Sequence, residues 1–392
     1  MFVAGLALAS VVGAGPVGAV PKPRGDQWWL STTGIQQAWK QSTGRGVTVA
    51  LIDGKPALGL PEFRGARIRE GRDFRGYGDA FSKPIEWNQA HGTHMLSLIA
   101  AQGGGSGFQG AAPDAEVLTI AMNGGTDYRE ALKYAIDQGV DVVNMSFGGA
   151  DVSVGEPVCE AGLQEVVDYA AEHDVVLVAG AGNNVTSANL PVMPAMCPGI
   201  LTAAGLSREL TLRKRPVHQP YIAIAAPSEE ISFLHDSGVV WRKDGGTSSA
   251  AALTTAAIAL LRSAHPGESA RQIVARLLYT AQDVHTPGRD DYTGYGLIRP
   301  DRALTATVPP GFANTVYDRF DAWHKEQNEL KQQRENPPGF AVGGDPNRER
   351  STSSDWETYA PWLLGAGVLS LAAVFAGSLV FRRRRRGDTR SL

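Results

Sequence analysis

The 392-residue sequence predicts an α/β fold with a mostly parallel central sheet covered by helices on both faces. Two observations lead there. Strand-like and helical stretches alternate along the chain. The strand-like runs are also apolar throughout, as strands buried on both faces are. A helix is expected over residues 34–41. Residues 47–52 (VTVALI) read as a buried strand, entered through Gly44-Arg45-Gly46 and closed by Asp53-Gly54. His91 opens a helical stretch. A strand over 116–122, a helix over 128–138, a strand over 141–146 and a helix over 162–172 follow. Next come a strand at 175–180 and strand-like runs at 200–204 and 221–225, and helices over 248–264 and 269–282 close the domain. In sheets of this kind, sites form at the carboxyl ends of the strands.

The globular pattern fades near residues 303–310. Residues 317–336 are highly charged and 337–358 are rich in Pro, Gly, Ser and charge, so 311–360 reads as a stalk, part helix and part flexible linker. Residues 361–381 (PWLLGAGVLSLAAVFAGSLVF) carry no charge and have the length of a membrane-crossing helix, with Trp356, Tyr359 and Trp362 clustered at the N-terminal end. Five consecutive arginines, Arg382 to Arg386, then place the 382–392 tail in the cytoplasm by the positive-inside rule, and everything N-terminal to the span outside it. Residues 2–12 are an apolar stretch of signal-peptide length and Val17-Gly18-Ala19 is a small-residue cleavage site, although no Lys or Arg precedes the stretch. Residues 1–19 are therefore read as a signal peptide and 20–310 as the folded domain.

The formal net charge of −3 is unevenly spread: the last eleven residues carry +5, which leaves −8 over the other 381. The basic run abuts the apolar span, so it reads as a membrane flank, and no nucleic-acid partner is expected. Cys159 and Cys197 are the only cysteines. In an oxidising compartment an even pair reads as one disulfide, and two sulfurs make a metal site improbable.

Three segments carry chemistry. Asp53 ends the first strand in VALIDG, His91 begins HGTHMLSLIAA, and Ser248 follows Gly245-Gly246-Thr247 at the head of an apolar helix. Each alone has an ordinary reading: a turn aspartate, a packed histidine, a helix cap. In this order and on this pattern they resemble the subtilase family of serine proteases, whose chain order is Asp, His, Ser. The resemblance spans roughly residues 34–304 and implies a subtilisin-like three-layer fold. It extends to Gly110-Ala111-Ala112-Pro113 and to Tyr292-Thr293-Gly294-Tyr295-Gly296.

The resemblance implies a catalytic triad of Asp53, His91 and Ser248, with Asn183 of Ala181-Gly182-Asn183 as an oxyanion donor. It also implies a substrate-binding edge at Ser146, Phe147, Gly148 and Gly149, in Asn144-Met145-Ser146-Phe147-Gly148-Gly149. Gly148 and Gly149 would leave room for an extended substrate strand. His94 is taken as structural and no metal ligand is assigned. Many family members bind calcium, but no ligand cluster here has diagnostic spacing, so no cofactor is expected and structural calcium stays open.

Two positions depart from the family pattern. Asp53 is followed by Gly54-Lys55 where the family usually has a hydroxyl residue and glycine, and Ala252 stands where proline is common. Lys55 is expected to point to solvent.

A signal peptide, a very short N-terminal extension with no room for a long pro-domain, a stalk and one C-terminal span together resemble the mycosins. These are the subtilases associated with type VII secretion in actinobacteria. Asp26-Gln27-Trp28-Trp29 and the placement of Cys159 and Cys197 add to that likeness. The partners so implied are secreted protein or peptide substrates, the membrane, and the type VII secretion complex. Two alternatives stay open: a general cell-surface subtilase, and a weakly active or non-catalytic structural partner of the complex.

Overall fold

The computed structural model describes residues 20–75, 90–123, 128–150, 159–183, 189–243 and 245–335. Its strands are β1 (Thr48–Asp53), β2 (Arg67–Asp73), β3 (Glu116–Ala121), β4 (Val142–Met145), β5 (Gly149–Ala150), β6 (Val176–Gly180), β7 (Val192–Met193), β8 (Ile200–Leu206), β9 (Ile222–Pro227), β10 (Ile231–Leu234) and β11 (Val240–Lys243). Its helices are α1 (Trp28–Thr32), α2 (Ile35–Ala38), α3 (His91–Ala100), α4 (Gly104–Gly107), α5 (Tyr128–Asp137), α6 (Ala161–Glu172), α7 (Gly246–Ala264), α8 (Ala270–Tyr279), α9 (Pro300–Ala303) and α10 (Thr315–Glu335).

Seven strands form one sheet in the order β2-β3-β1-β4-β6-β8-β9, every neighbouring pair parallel. The chain leaves β1 towards β2 and β3 on one side and returns to place β4 on the other. The carboxyl ends of β1 and β4 therefore flank the switch point where such sheets carry their sites. Ile52 pairs with Met145, which sets Asp53 level with Ser146 across that crevice.

α7 explains much of the stability. From Ser249 to Arg262 every residue of this helix is buried, so it is a central pillar rather than an amphipathic surface helix. Its alanines allow close approach to the sheet, while Leu253, Ile258, Leu260 and Leu261 each bury a full side chain, worth about 1.5–3 kcal/mol apiece. Ala252, at the position where the family has proline, is fully buried within the helix.

The second family landmark is a turn: Asp290 Oδ1 accepts from the Tyr292 and Thr293 N–H groups at 2.7 and 2.8 Å, and the turn bonds back to β9 through Tyr295 N–H and the Ala223 carbonyl at 2.9 Å. Cys159 and Cys197 form the expected disulfide, linking the start of α6 to the segment before β8. Closing a loop of 38 residues stabilises by about 3–4 kcal/mol in the chain-entropy model. The double change of Cys159 and Cys197 to serine is therefore expected to lower the free energy of unfolding by about that amount, read from urea melts.

The charged segment read as the start of the stalk is the helix α10, and its first turns pack on the domain. Val316 and Tyr317 are buried there. Arg271 forms a two-pronged pair with Asp321, both contacts 2.8 Å. The expected membrane span at 361–381 and the expected signal peptide at 1–19 lie outside the described residues. Among the described residues no helix is long and apolar enough to cross a membrane.

Candidate active site

Asp53 is the last residue of β1 and 1% exposed. A carboxylate that deep needs partners, and it has them. Its Oδ1 accepts the Gly54 N–H at 2.7 Å, and its two oxygens lie 2.8 and 2.9 Å from His91 Nδ1. Because both Asp53 oxygens are acceptors, the proton of the shared bond sits on Nδ1, and Nε2 is the nitrogen left to act as a base. Burial alone would push the His91 pKa down. The charge of Asp53 and its hydrogen bond outweigh that, and the imidazole is raised above its ordinary value.

His91 reaches Asp53 because α3 starts hard against the loop that leaves β1. A Cβ on Gly92 would lie 1.8 Å from the Gly54 carbonyl oxygen, so only glycine permits this approach. Thr93, fully buried, adds a bond: its Oγ1 accepts the Ala57 N–H at 2.8 Å. His94 is buried and packs against Phe233, the rings tilted by 33° with centroids 4.1 Å apart, in agreement with a structural reading. Lys55 turns outward, half exposed, with its Nζ 3.8 Å from Glu70. The lysine that departs from the family pattern therefore faces solvent rather than Asp53.

Ser248 is the third residue of α7, at the end where backbone N–H groups are unsatisfied and the helix dipole is positive. Its Oγ donates to the Ser146 carbonyl at 3.0 Å, and the Ser146 Oγ donates to the Ser248 carbonyl, also at 3.0 Å. This reciprocal clasp is backed by Asn144, whose Nδ2 donates to Ser146 Oγ at 2.8 Å and whose Oδ1 accepts from Thr255 Oγ1 at 3.1 Å. The end of β4 and the head of α7 are locked together, which holds Ser248 at the crevice that Asp53 enters from β1 and His91 from the start of α3.

Asn183 follows β6, exposed at the same edge of the sheet. Its Oδ1 accepts the Thr247 N–H at 2.9 Å and a bond from Arg213 Nη1. Both partners are donors, so the amide is oriented with Oδ1 on α7 and Nδ2 as its remaining donor. An amide N–H and the Ser248 backbone N–H beside it are what a developing oxyanion requires.

The expected substrate edge divides. The Ser146 side chain is buried and turned inward, where it holds Ser248. Phe147 packs on Tyr128, ring centroids 5.4 Å apart. Gly148 is required by its neighbours: a Cβ there would meet Val192 Cγ1 at 2.7 Å and the Met193 carbonyl at 2.8 Å. Gly149 begins β5, which pairs antiparallel with β7, and a Cβ on it would meet open space. Space is therefore left beside Gly149, while Gly148 is closed in by β7.

A carboxylate-oriented imidazole, a serine in the first turn of a helix and an amide donor at the carboxyl edge of one parallel sheet are the equipment of a serine endopeptidase. A family model described as the subtilase family, peptidase S8, matches residues 44–296, and the chain belongs to that family. Among curated relatives, mycosin-1 of Mycobacterium tuberculosis is 30% identical over 75% of this chain and 76% of its own length. Fervidolysin of Fervidobacterium pennivorans is 32% identical over 72% of this chain, which spans only 44% of fervidolysin. Among solved structures, the serine protease MycP1, described as an essential component of the type VII (ESX-1) secretion system, superposes with a TM-score of 0.61 at 27% identity, covering 74% of this chain and 93% of that one.

Proposed function

We propose that this protein is a membrane-anchored, extracytoplasmic endopeptidase that cuts secreted proteins of a type VII secretion system. Ser248 is the nucleophile, His91 the base that takes its proton, and Asp53 the residue that orients the imidazole and stabilises its charged form. Attack on a peptide carbonyl moves negative charge onto its oxygen, towards Asn183 Nδ2 and the Ser248 backbone N–H. His91 then returns the proton to the leaving amine, and water repeats the cycle on the acyl-enzyme. A substrate strand lies along Gly149, where no side chain or neighbouring atom of the described residues fills the space beside it.

The observation that carries this reading is the two-oxygen clamp of buried Asp53 on His91 at the end of β1, with Ser248 held at a helix N-terminus by the neighbouring end of β4. The likeness to the mycosins and to MycP1 supports the secretion role, and residues 361–381 support the anchor.

Labelling by a fluorophosphonate tests the chemistry: the full chain is expected to be labelled and Ser248→Ala not, and an unlabelled, folded wild type would sink the triad. Comparing the termini of secreted proteins from cells carrying wild type and Ser248→Ala tests the secretion role. Identical termini would return the choice to a structural partner.

The raised His91 pKa sets the acid limb. The base must be neutral, so kcat/KM is expected to fall as pH drops through a midpoint above the ordinary histidine value of 6.5. A midpoint at or below that value would contradict the Asp53 pairing.

A further inference from the structure

The three triad-bearing segments meet again one layer behind the reacting groups. Thr93 Oγ1 accepts the Ala57 N–H from the loop after Asp53, and donates to Asp236 Oδ1. Thr93 itself is two residues beyond His91 in the first turn of α3. Asp236 sits at the tip of the β10–β11 hairpin, the segment that leads directly into Ser248 twelve residues on. The hydroxyl's single donor and one of its two acceptor lone pairs are used, and the two bonds reach different parts of the site. The hairpin rests along α3 at two further levels: Phe233 packs against His94, and the Leu234 N–H bonds Ser97 Oγ at 3.2 Å.

We propose that Asp236 is a positioning residue for the proteolytic reaction, acting through Thr93 to fix the spacing of the Asp53 loop, the His91 turn and the strand that delivers Ser248. This rests on the triad reading above. Asp236 touches no reacting group in it, and neither the family motifs nor the charge pattern marks this hairpin-tip carboxylate. Its carboxylate oxygen is the acceptor that holds the Thr93 hydroxyl in the rotamer serving Ala57. Without it the hydroxyl is a buried donor lacking its partner, and the turn that carries His91 has reason to move. Displacements of about 1 Å in such a group cost on the order of 10²-fold in rate without weakening substrate binding.

The test is saturation labelling of the full-length chain by a fluorophosphonate, which separates the limiting rate from the half-saturating concentration. Asp236→Ala and Thr93→Val are expected to slow the limiting rate by about tenfold or more, with half-saturation within about twofold of wild type. Asp236→Asn and Thr93→Ser keep an acceptor or a hydroxyl, and are expected to recover the rate to within about threefold of wild type. A limiting rate in Asp236→Ala equal to wild type overturns the proposal. So does equal slowing of Asp236→Ala and Asp236→Asn with equally lowered melting temperatures, the result of a contact that serves only the fold. If Asp236→Ala does not fold, the Thr93→Val and Thr93→Ser pair decides by the same criteria. A wild type that does not label at all would overturn the triad reading and this one together, whereas a reactive wild type with an unaffected Asp236→Ala overturns this one alone.

Discussion

Asp53→Asn is expected to lower kcat by about 10⁴-fold while the fold survives, because the change is isosteric and the damage is done by one proton. In the native pair both carboxylate oxygens are acceptors for His91 Nδ1, and Oδ1 also takes the Gly54 N–H. An asparagine must keep its oxygen on the Gly54 N–H, since leaving that buried donor unpaired is costly. Its NH₂ then faces His91 Nδ1, which has to become an acceptor. The imidazole proton moves to Nε2, and the nitrogen that should receive the serine proton already carries one. The charge that raises the His91 pKa is lost as well, so the residual activity should show its acid limb at a lower pH than the wild type. Steady-state rates across pH, with circular dichroism to confirm the fold, check both effects. A loss smaller than about tenfold would remove Asp53 from the catalytic role assigned to it.

Gly92→Ala is the second large effect, and it acts through shape alone. The added methyl would lie 1.8 Å from the Gly54 carbonyl oxygen and 2.8 Å from its carbon, and both are backbone atoms. Neither can rotate away, so α3 and the loop must part by more than about 1 Å, enough to lengthen the Asp53–His91 contact. The expected result is a fall in kcat of about 10²-fold or more. Overpacking should also reduce stability by about 1–3 kcal/mol. Kinetics and urea melts read the two separately. Full activity in Gly92→Ala would show that the loop yields without moving Asp53, and that the close approach is incidental.

Much of this was legible because burial leaves a strong mark on sequence. β1, β3, β4, β6 and β8 are buried on both faces, so they read as mostly apolar runs with only an occasional polar residue such as Asn144, and the helix α7 declares itself by its alanines and leucines. β2 does not read as a strand: its sequence is RIREGRD, and it stands at the sheet edge, where charge guards against further pairing. The β10–β11 hairpin is equally silent, being short and half exposed, and β5 and β7 are two residues each. At the site, motif order points to Asp53, His91 and Ser248 as the residues to look for, and Lys55 faces outward as a loop lysine is expected to. Two things depended on the fold. The Ser146 side chain holds the start of α7 at Ser248, because β4 ends with that side chain turned inward. Thr93 and Asp236 meet across 143 residues of chain, and no local pattern reports a contact of that separation.

Under the anchor proposed above, the packing of α10 decides where the enzyme could be cut free. Phe320 lies over Gly199, so closely that a Cβ there would meet its ring at 2.8 Å, and Arg319 Nη2 donates to the Met196 carbonyl at 2.9 Å, one residue from the disulfide. The helix is thus a clasp over the segment between β7 and β8. Cleavage before residue 315 would strip Val316, Tyr317 and Phe320 from the domain and bare an apolar seam prone to aggregation. Cleavage after Glu335 would leave the clasp in place, so on that proposal release of an intact domain and loss of the protein are separated by the 21 residues of α10.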